Sequence, residues 1–166
     1  MIVTDLIGQL PVHPTKRYPE RDIARIRRLV LHHTAGRRLA RSVASQTVAQ
    51  IARFHVTSDY LQEGGAPGIA YTYCVGPGGE VFKCWPAKTI CWCVKGMNTS
   101  ALCVAMIGNF EVEDPTPEQW DATVELFRDL RVGYGPLPVE SHGEILSTAC
   151  PGKNINMNRF RLEVGA

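Results

Sequence analysis

The strongest constraint on the fold is a run of apolar residues, ALCVAMI, at positions 101–107. The run has the length of a β-strand and contains no polar side chain, so both faces of the strand need cover from other elements. Such a strand lies at the centre of a sheet that carries helices. The chain has 166 residues, which is the size of one domain with a substantial core.

The segments around this run alternate between strand and helix patterns. Glycine and proline at 76–79 mark a turn between two β-prone segments, which predicts a hairpin. The helix at 116–131 has the clearest start signal, because Thr116 is a suitable N-cap and Gln119 completes a capping box. The predicted strands are 27–32, 70–75, 80–85, 101–107 and 139–141, and the predicted helices are 42–55, 116–131 and 157–164. We therefore predict the α/β class, with a single-domain mixed central β-sheet flanked by helices.

The ends and the charge of the chain limit its surroundings. Residues 1–25 carry prolines and charges and are predicted to form an irregular N-terminal arm, packed on a domain of residues 26–166. The formal net charge of +2 is too small to indicate a nucleic-acid partner. The first residues lack the basic and apolar regions of a secretory signal, and no apolar run reaches the ~18 residues of a membrane span. We expect a monomer that is made in the cytoplasm and does not insert into a membrane.

Six cysteines are present, at positions 74, 84, 91, 93, 103 and 150. Without an export signal they are expected to be thiols or metal ligands and not a disulfide framework. Two alternatives stay open, a Cys84–Cys91 bridge in an oxidising compartment and a second metal site at Cys91 and Cys93.

Three positions carry the side chains that Zn²⁺ prefers as ligands: the His32–His33 pair at a predicted strand end, His142, and Cys150. The eight-residue spacing from His142 to Cys150 does not place both on one helical face. A loop whose two ends converge can bring them together, and the proline and glycine after Cys150 help to fix such a loop. On the residues alone, satisfied polar histidines and a small core cysteine explain the same pattern.

Together with the rest of the chain, these residues resemble the zinc amidases that include phage lysozyme-type amidases and the peptidoglycan recognition proteins. Five segments match in order and extend over roughly residues 26–163. They are LVLHHTA at 29–35, GIAYTY at 68–73, VKGMN at 94–98 with IGNF at 107–110, PTPEQ at 115–119, and His142 with ACPG at 149–152.

The resemblance implies that one Zn²⁺ ion is bound by His32, His142 and Cys150. His33 is then expected to pack or to support the site, because adjacent strand residues face opposite sides of a sheet. His55 closes the apolar face of its predicted helix, so we expect a core or capping role for it.

The resemblance also implies Tyr71 as the catalytic tyrosine. Thr148 stands where some relatives have a lysine, and its hydroxyl is expected to help stabilise a developing oxyanion. Lys95 and Asn98 are the expected substrate contacts. Cys93 is a departure, because relatives often have histidine there.

The function that the resemblance implies is zinc-dependent hydrolysis of the amide bond between N-acetylmuramic acid and L-alanine in bacterial peptidoglycan. A phage-type endolysin that lyses the host by degrading its cell wall is the expected setting. The alternatives are a bacterial wall-recycling amidase, a non-catalytic peptidoglycan-binding module, and a protein with a purely structural zinc ion.

Overall fold

The structure, a computed structural model, describes residues 1–36 and 44–166. The strands described there are β1 (Val3–Asp5), β2 (Arg28–His33), β3 (Tyr73–Val75), β4 (Val81–Lys83), β5 (Ala101–Met106) and β6 (Val139–Ser141). The helices are α1 (Ala44–Thr57), α2 (Pro117–Tyr134), α3 (His142–Ile145) and α4 (Met157–Val164), with a 3₁₀ turn at Ile23–Arg25. Within these residues, no helix has the length and apolarity needed to cross a membrane.

The strands form one mixed sheet in the order β1-β4-β3-β5-β2-β6. Strands β3, β5, β2 and β6 run parallel to one another, while β4 is antiparallel to β3 and parallel to β1. All six residues of β5 are buried in the interior of this sheet. The predicted fold class, a mixed central sheet flanked by helices, is confirmed.

The two faces of β5 carry side chains of different size. Leu102, Val104 and Met106 belong to the core formed with α2 and α4. On the opposite face, Cys103 and Ala105 are small. Side chains alternate in the same way along the neighbouring strand β2, so His32 lies on the face where small residues leave space.

Helices cover both faces of the sheet. Under α2 and α4, the rings of Phe127 and Phe160 meet edge to face, with centroids 5.0 Å apart. On the other face, Val48 and Ala52 of α1 pack with Ile69 in a second apolar cluster. This double cover explains why β5 is apolar on both sides.

Most predicted elements are present, and β6 and α4 have the predicted bounds. Among the described residues, three short elements were not predicted: β1 and the 3₁₀ turn within the arm, and α3 after β6. All three residues of β1 are exposed, so they lack the burial alternation that marks a strand. The predicted start of the first helix at residue 42 lies outside the described residues.

The predicted capping box of α2 is wrong in one half. The backbone N–H of Gln119 does donate to the Thr116 hydroxyl, at 3.1 Å. The Gln119 side chain, however, is buried, and its Nε2 donates to the carbonyl oxygens of Val75 at 2.9 Å and Ile107 at 3.0 Å. Buried carbonyls at strand ends require a donor, so tertiary bonds take the place of the local one.

Replacing Thr116 with alanine is expected to lower the free energy of unfolding by about 1–2 kcal/mol. The Thr116 hydroxyl accepts from the backbone of Gln119 and donates to the carbonyl of Pro77, and alanine removes both bonds. Urea unfolding measures the loss. Val132→Ala, at an 88% exposed position of the same helix, is the control and should change stability little; equal effects would contradict the capping role.

Candidate metal centre

Two histidines lie at the carboxyl ends of neighbouring parallel strands. His32 is near the end of β2, and His142 follows β6 as the first residue of α3. The strand register pairs Leu31 with Ser141, which brings the next residue of each strand together. The His32 and His142 ring centroids are 4.6 Å apart. A reciprocal capping box between Ser141 and Glu144 fixes the turn that carries His142.

Cys150 reaches the same point from the loop that follows α3. The N–H of Gly143 donates to the carbonyl oxygen of Cys150 at 2.7 Å. A β-carbon at position 143 would lie 2.8 Å from the carbonyl oxygens of both Thr148 and Cys150, so glycine permits this close approach. The Cys150 Sγ accepts from the His33 backbone N–H at 3.4 Å and lies 3.7 Å from His32 Nδ1.

The ligand atoms of His32, His142 and Cys150 all lie within 4.8 Å of one another. Burial lowers the pKa of His32 well below its ordinary value, with smaller contributions from His142 and His33, and burial also lowers the pKa of His142. Both imidazoles are therefore held neutral, the form that binds metals.

Burial opposes ionisation of the Cys150 thiol. Burial raises the pKa of Cys150 to about 11, and the hydrogen bond from the His33 backbone opposes this shift. A divalent ion bound beside it would favour the thiolate. In addition, Nε2 of His32 is buried and has no hydrogen-bond partner within the described residues. Two neutral imidazoles and a thiol are a donor set that fits Zn²⁺ with a fourth position left open.

The candidate centre opens into a cavity of about 810 Å³. Ile51 and Phe54 of α1 and Tyr60 and Leu61 from the next loop contribute apolar lining. The Phe54 and Tyr60 rings are 5.7 Å apart, and these side chains are 51% and 72% exposed. Exposed aromatic rings beside convergent polar groups are typical of a ligand-binding cleft.

Tyr71 and Thr148 both line this cavity. The Tyr71 ring centroid lies 5.5 Å from that of His32. Burial, and then the charge of the Cys150 thiolate, raise the pKa of Tyr71 well above its ordinary value, so its hydroxyl remains a proton donor. The Thr148 hydroxyl accepts from the backbone N–H of Cys150 at 3.3 Å, which leaves its own proton available. Their catalytic roles stay predictions.

Lys95 and Asn98 lie in a turn that follows Cys93, and neither is among the lining residues of the cavity in the described part of the chain. The Asn98 Oδ1 accepts from the Val94 N–H at 2.7 Å, and its backbone oxygen accepts from Arg21 at 2.9 Å. Asn98 therefore holds the turn together, while Lys95 is exposed. Their role as substrate contacts stays a prediction.

The N-acetylmuramoyl-L-alanine amidase family matches residues 22–153 of the chain. The chain belongs to this family. It is 29% identical over 133 residues to peptidoglycan-recognition protein SD of Drosophila simulans, covering 76% of this chain and 67% of the relative. Among solved structures, it resembles the Ph2119 endolysin from Thermus scotoductus MAT2119 bacteriophage Ph2119, with a TM-score of 0.71, 27% identity and coverage of 99% and 100% of the two chains. It also resembles human PGRP-IBETAC, which was solved in complex with glycosamyl muramyl pentapeptide. The TM-score is 0.79 at 18% identity, with coverage of 96% of this chain and 94% of the human chain. At this identity the likeness shows the fold alone.

Two cysteines of this amidase-family chain form a disulfide. Cys93, in the loop before β5, is bonded to Cys103 on β5. The expectation of thiols without disulfides is wrong for this pair, and the Cys84–Cys91 alternative is wrong because both residues are free. Connectivity depends on how the fold brings loop and strand together, so spacing alone did not identify the pair.

His55 is a buried side chain with a structural contact, as expected, but it also lines the cavity. Its Nδ1 accepts from the backbone N–H of Ala70 at 3.1 Å. Burial lowers the pKa of His55 to about 4, so the ring is neutral near pH 7 with its proton on Nε2.

The low pKa of His55 should make stability fall with acid. Below its ordinary pKa near 6.5, the unfolded chain binds a proton that the folded chain does not bind, so the contribution is complete above pH 6.5 and is lost as the pH falls towards 4. We expect a loss of roughly 1.4 kcal/mol per pH unit in this window. His55→Asn, whose amide oxygen can accept from Ala70, should flatten this dependence in urea unfolding. If the free energy of unfolding fell with pH as steeply in the variant as in the wild-type protein, the role of His55 would be contradicted.

Proposed function

We propose that this protein is a zinc-dependent N-acetylmuramoyl-L-alanine amidase that hydrolyses the amide between N-acetylmuramic acid and L-alanine in peptidoglycan. The observation that carries the proposal is the convergence of His32, His142 and Cys150 at the wall of an open cavity. A catalytic zinc site has three protein ligands and an open position, whereas a structural site is closed by four.

His32, His142 and Cys150 would hold the ion. When bound, Zn²⁺ supplies Lewis-acid activation of water and of the scissile carbonyl. The chain's own contribution is to keep the two imidazoles neutral by burial and to orient the Cys150 sulfur through the His33 backbone N–H. Such supporting hydrogen bonds fix ligand orientation and tune the site.

Tyr71 is the proposed electrostatic partner of the reaction. Its retained proton makes it a hydrogen-bond donor to the oxyanion that develops when the amide carbonyl becomes tetrahedral. Thr148, on the loop that carries Cys150, adds a second hydroxyl donor without the charge of a lysine. The aromatic rings of Phe54 and Tyr60 offer faces against which sugar or peptide can pack.

A hydrolase is favoured over a non-catalytic binding module because the full donor set is present. Modules of that kind commonly lack one zinc ligand, often the cysteine, whereas this chain keeps Cys150 beside His32 and His142. A muramyl peptide is the proposed substrate class, in line with the pentapeptide complex of the human relative. Likeness to a phage endolysin along nearly the whole chain supports a bacteriolytic role at the host cell wall.

Purified sacculi provide the decisive test of this function. Zinc-loaded protein is expected to release new amino termini at L-alanine, detected by amine labelling and mass spectrometry of the products. A chelator should abolish the release, and added Zn²⁺ should restore it. New reducing sugar ends would indicate glycan cleavage, and binding to sacculi without cleavage by metal-loaded protein would indicate a recognition module; either result would overturn the proposal.

A further inference from the structure

The Cys93–Cys103 disulfide lies next to the candidate metal centre. One ring nitrogen of His32 and the two sulfurs lie within 4.8 Å of one another, the same limit that contains the His32, His142 and Cys150 donors. Cys93 also lines the cavity and is 8% exposed, while Cys103 is fully buried. His32 therefore lies close to two sets of potential soft ligands.

The two ring nitrogens of His32 have different surroundings. Its Nδ1 is 3.7 Å from the Cys150 sulfur, while Nε2 is buried without a hydrogen-bond partner among the described residues. The two sulfurs belong to an apolar cluster that includes Val30 and Val94. Two sulfurs in apolar surroundings beside an imidazole favour a soft cation over a hard one.

We propose that Cys93, Cys103 and His32 form a second, thiol-rich metal position that opens when the disulfide is reduced. A dithiol reductant transfers two electrons and two protons to the two sulfurs and is itself oxidised to a disulfide. A thiophilic divalent cation such as Zn²⁺ then displaces the two thiol protons to solvent and binds the thiolates. Two sulfurs on a tetrahedral zinc ion lie roughly 3.8 Å apart, a separation that a reduced pair in van der Waals contact reaches.

This position goes beyond the amidase function and does not depend on it. Its sulfurs are distinct from Cys150, and only His32 is common to both sets. Binding can therefore be followed in a protein that has lost the Cys150 ligand, so failure of the amidase proposal and failure of this one give separate results.

Cobalt binding to the Cys150→Ser protein tests the proposal, because thiolate-bound Co²⁺ has a near-ultraviolet charge-transfer absorption. The protein is compared as isolated in its oxidised form and after reduction with dithiothreitol and desalting without oxygen. The absorption is expected only in the reduced protein. Added Zn²⁺ should displace the Co²⁺ and so remove the absorption. Adding Cys93→Ser and Cys103→Ser together should abolish the absorption. If that variant does not fold, Cys93→Ser alone, which keeps the buried Cys103, takes its place and should weaken the absorption.

The matched control removes a different pair of close thiols. Cys74 and Cys84 have their sulfurs 4.0 Å apart, but they belong to no three-ligand group within the described residues. Cys74→Ala with Cys84→Ala in the same background should leave the absorption intact. Absence of the absorption from reduced Cys150→Ser protein, or its full retention in the folded Cys93 variant, would overturn the proposal.

Discussion

Replacing Cys150 with serine is expected to remove stoichiometric zinc and to lower the amidase kcat/KM by more than about 10³-fold. Lewis-acid stabilisation by a metal contributes several kcal/mol to the transition state, and each 1.36 kcal/mol is a tenfold change in rate. Serine keeps the size of the side chain but offers a hydroxyl where the ion prefers a thiolate. The His33 backbone N–H, which now donates to the sulfur, would retain an acceptor in the serine oxygen.

Zinc content by elemental analysis and hydrolysis of a soluble muramyl peptide measure these two effects separately. Cys74→Ala is the control, because it removes a buried thiol outside the site and should leave both zinc content and rate near wild-type values. His142→Ala should reproduce the Cys150→Ser result. A Cys150→Ser protein that keeps its activity, or that loses activity while holding one zinc ion, would show that the sulfur is not the ligand.

The pairing of His32 with His142 follows from features that the sequence does contain. A strand pattern ending at the first histidine and a short β-prone segment before the second predict that both lie at strand ends. Parallel strands direct their carboxyl ends to the same edge of a sheet, so adjacency of β2 and β6 is sufficient to bring the rings within 4.6 Å. That adjacency itself came from the family resemblance, since strand order is not encoded in any local pattern.

Three of the features that the sequence did not predict depend on tertiary contacts. The Gln119 amide binds two carbonyls from separate strand ends, and the Cys93–Cys103 bond depends on the path of the preceding loop. Phe54 lies off the apolar face that Val48 and Ala52 define, so helical periodicity gives it no role. Its place beside Tyr60 in the cavity lining is visible only once the helix and the next loop are folded together.

Replacing Tyr71 with phenylalanine is expected to lower kcat by about 10²–10³-fold, the usual cost of removing one donor from an oxyanion site. The ring would be retained beside His32, 5.5 Å away between centroids, so the metal ligands should keep their positions. Zinc content should therefore stay at one ion per chain, and KM should change little, because the lost bond strengthens only as the carbonyl becomes tetrahedral.

A tyrosine on the other side of the sheet provides the matched control for this change. Tyr73 belongs to the core beside α2 and α4. Tyr73→Phe therefore also removes one tyrosine hydroxyl, but on the other face of the sheet, and should leave kcat near the wild-type value. A Tyr71→Phe protein with wild-type kcat would remove this residue from the reaction. Loss of zinc together with activity would instead assign Tyr71 to the support of His32, because a hydroxyl that acts only on the oxyanion has no effect on metal affinity.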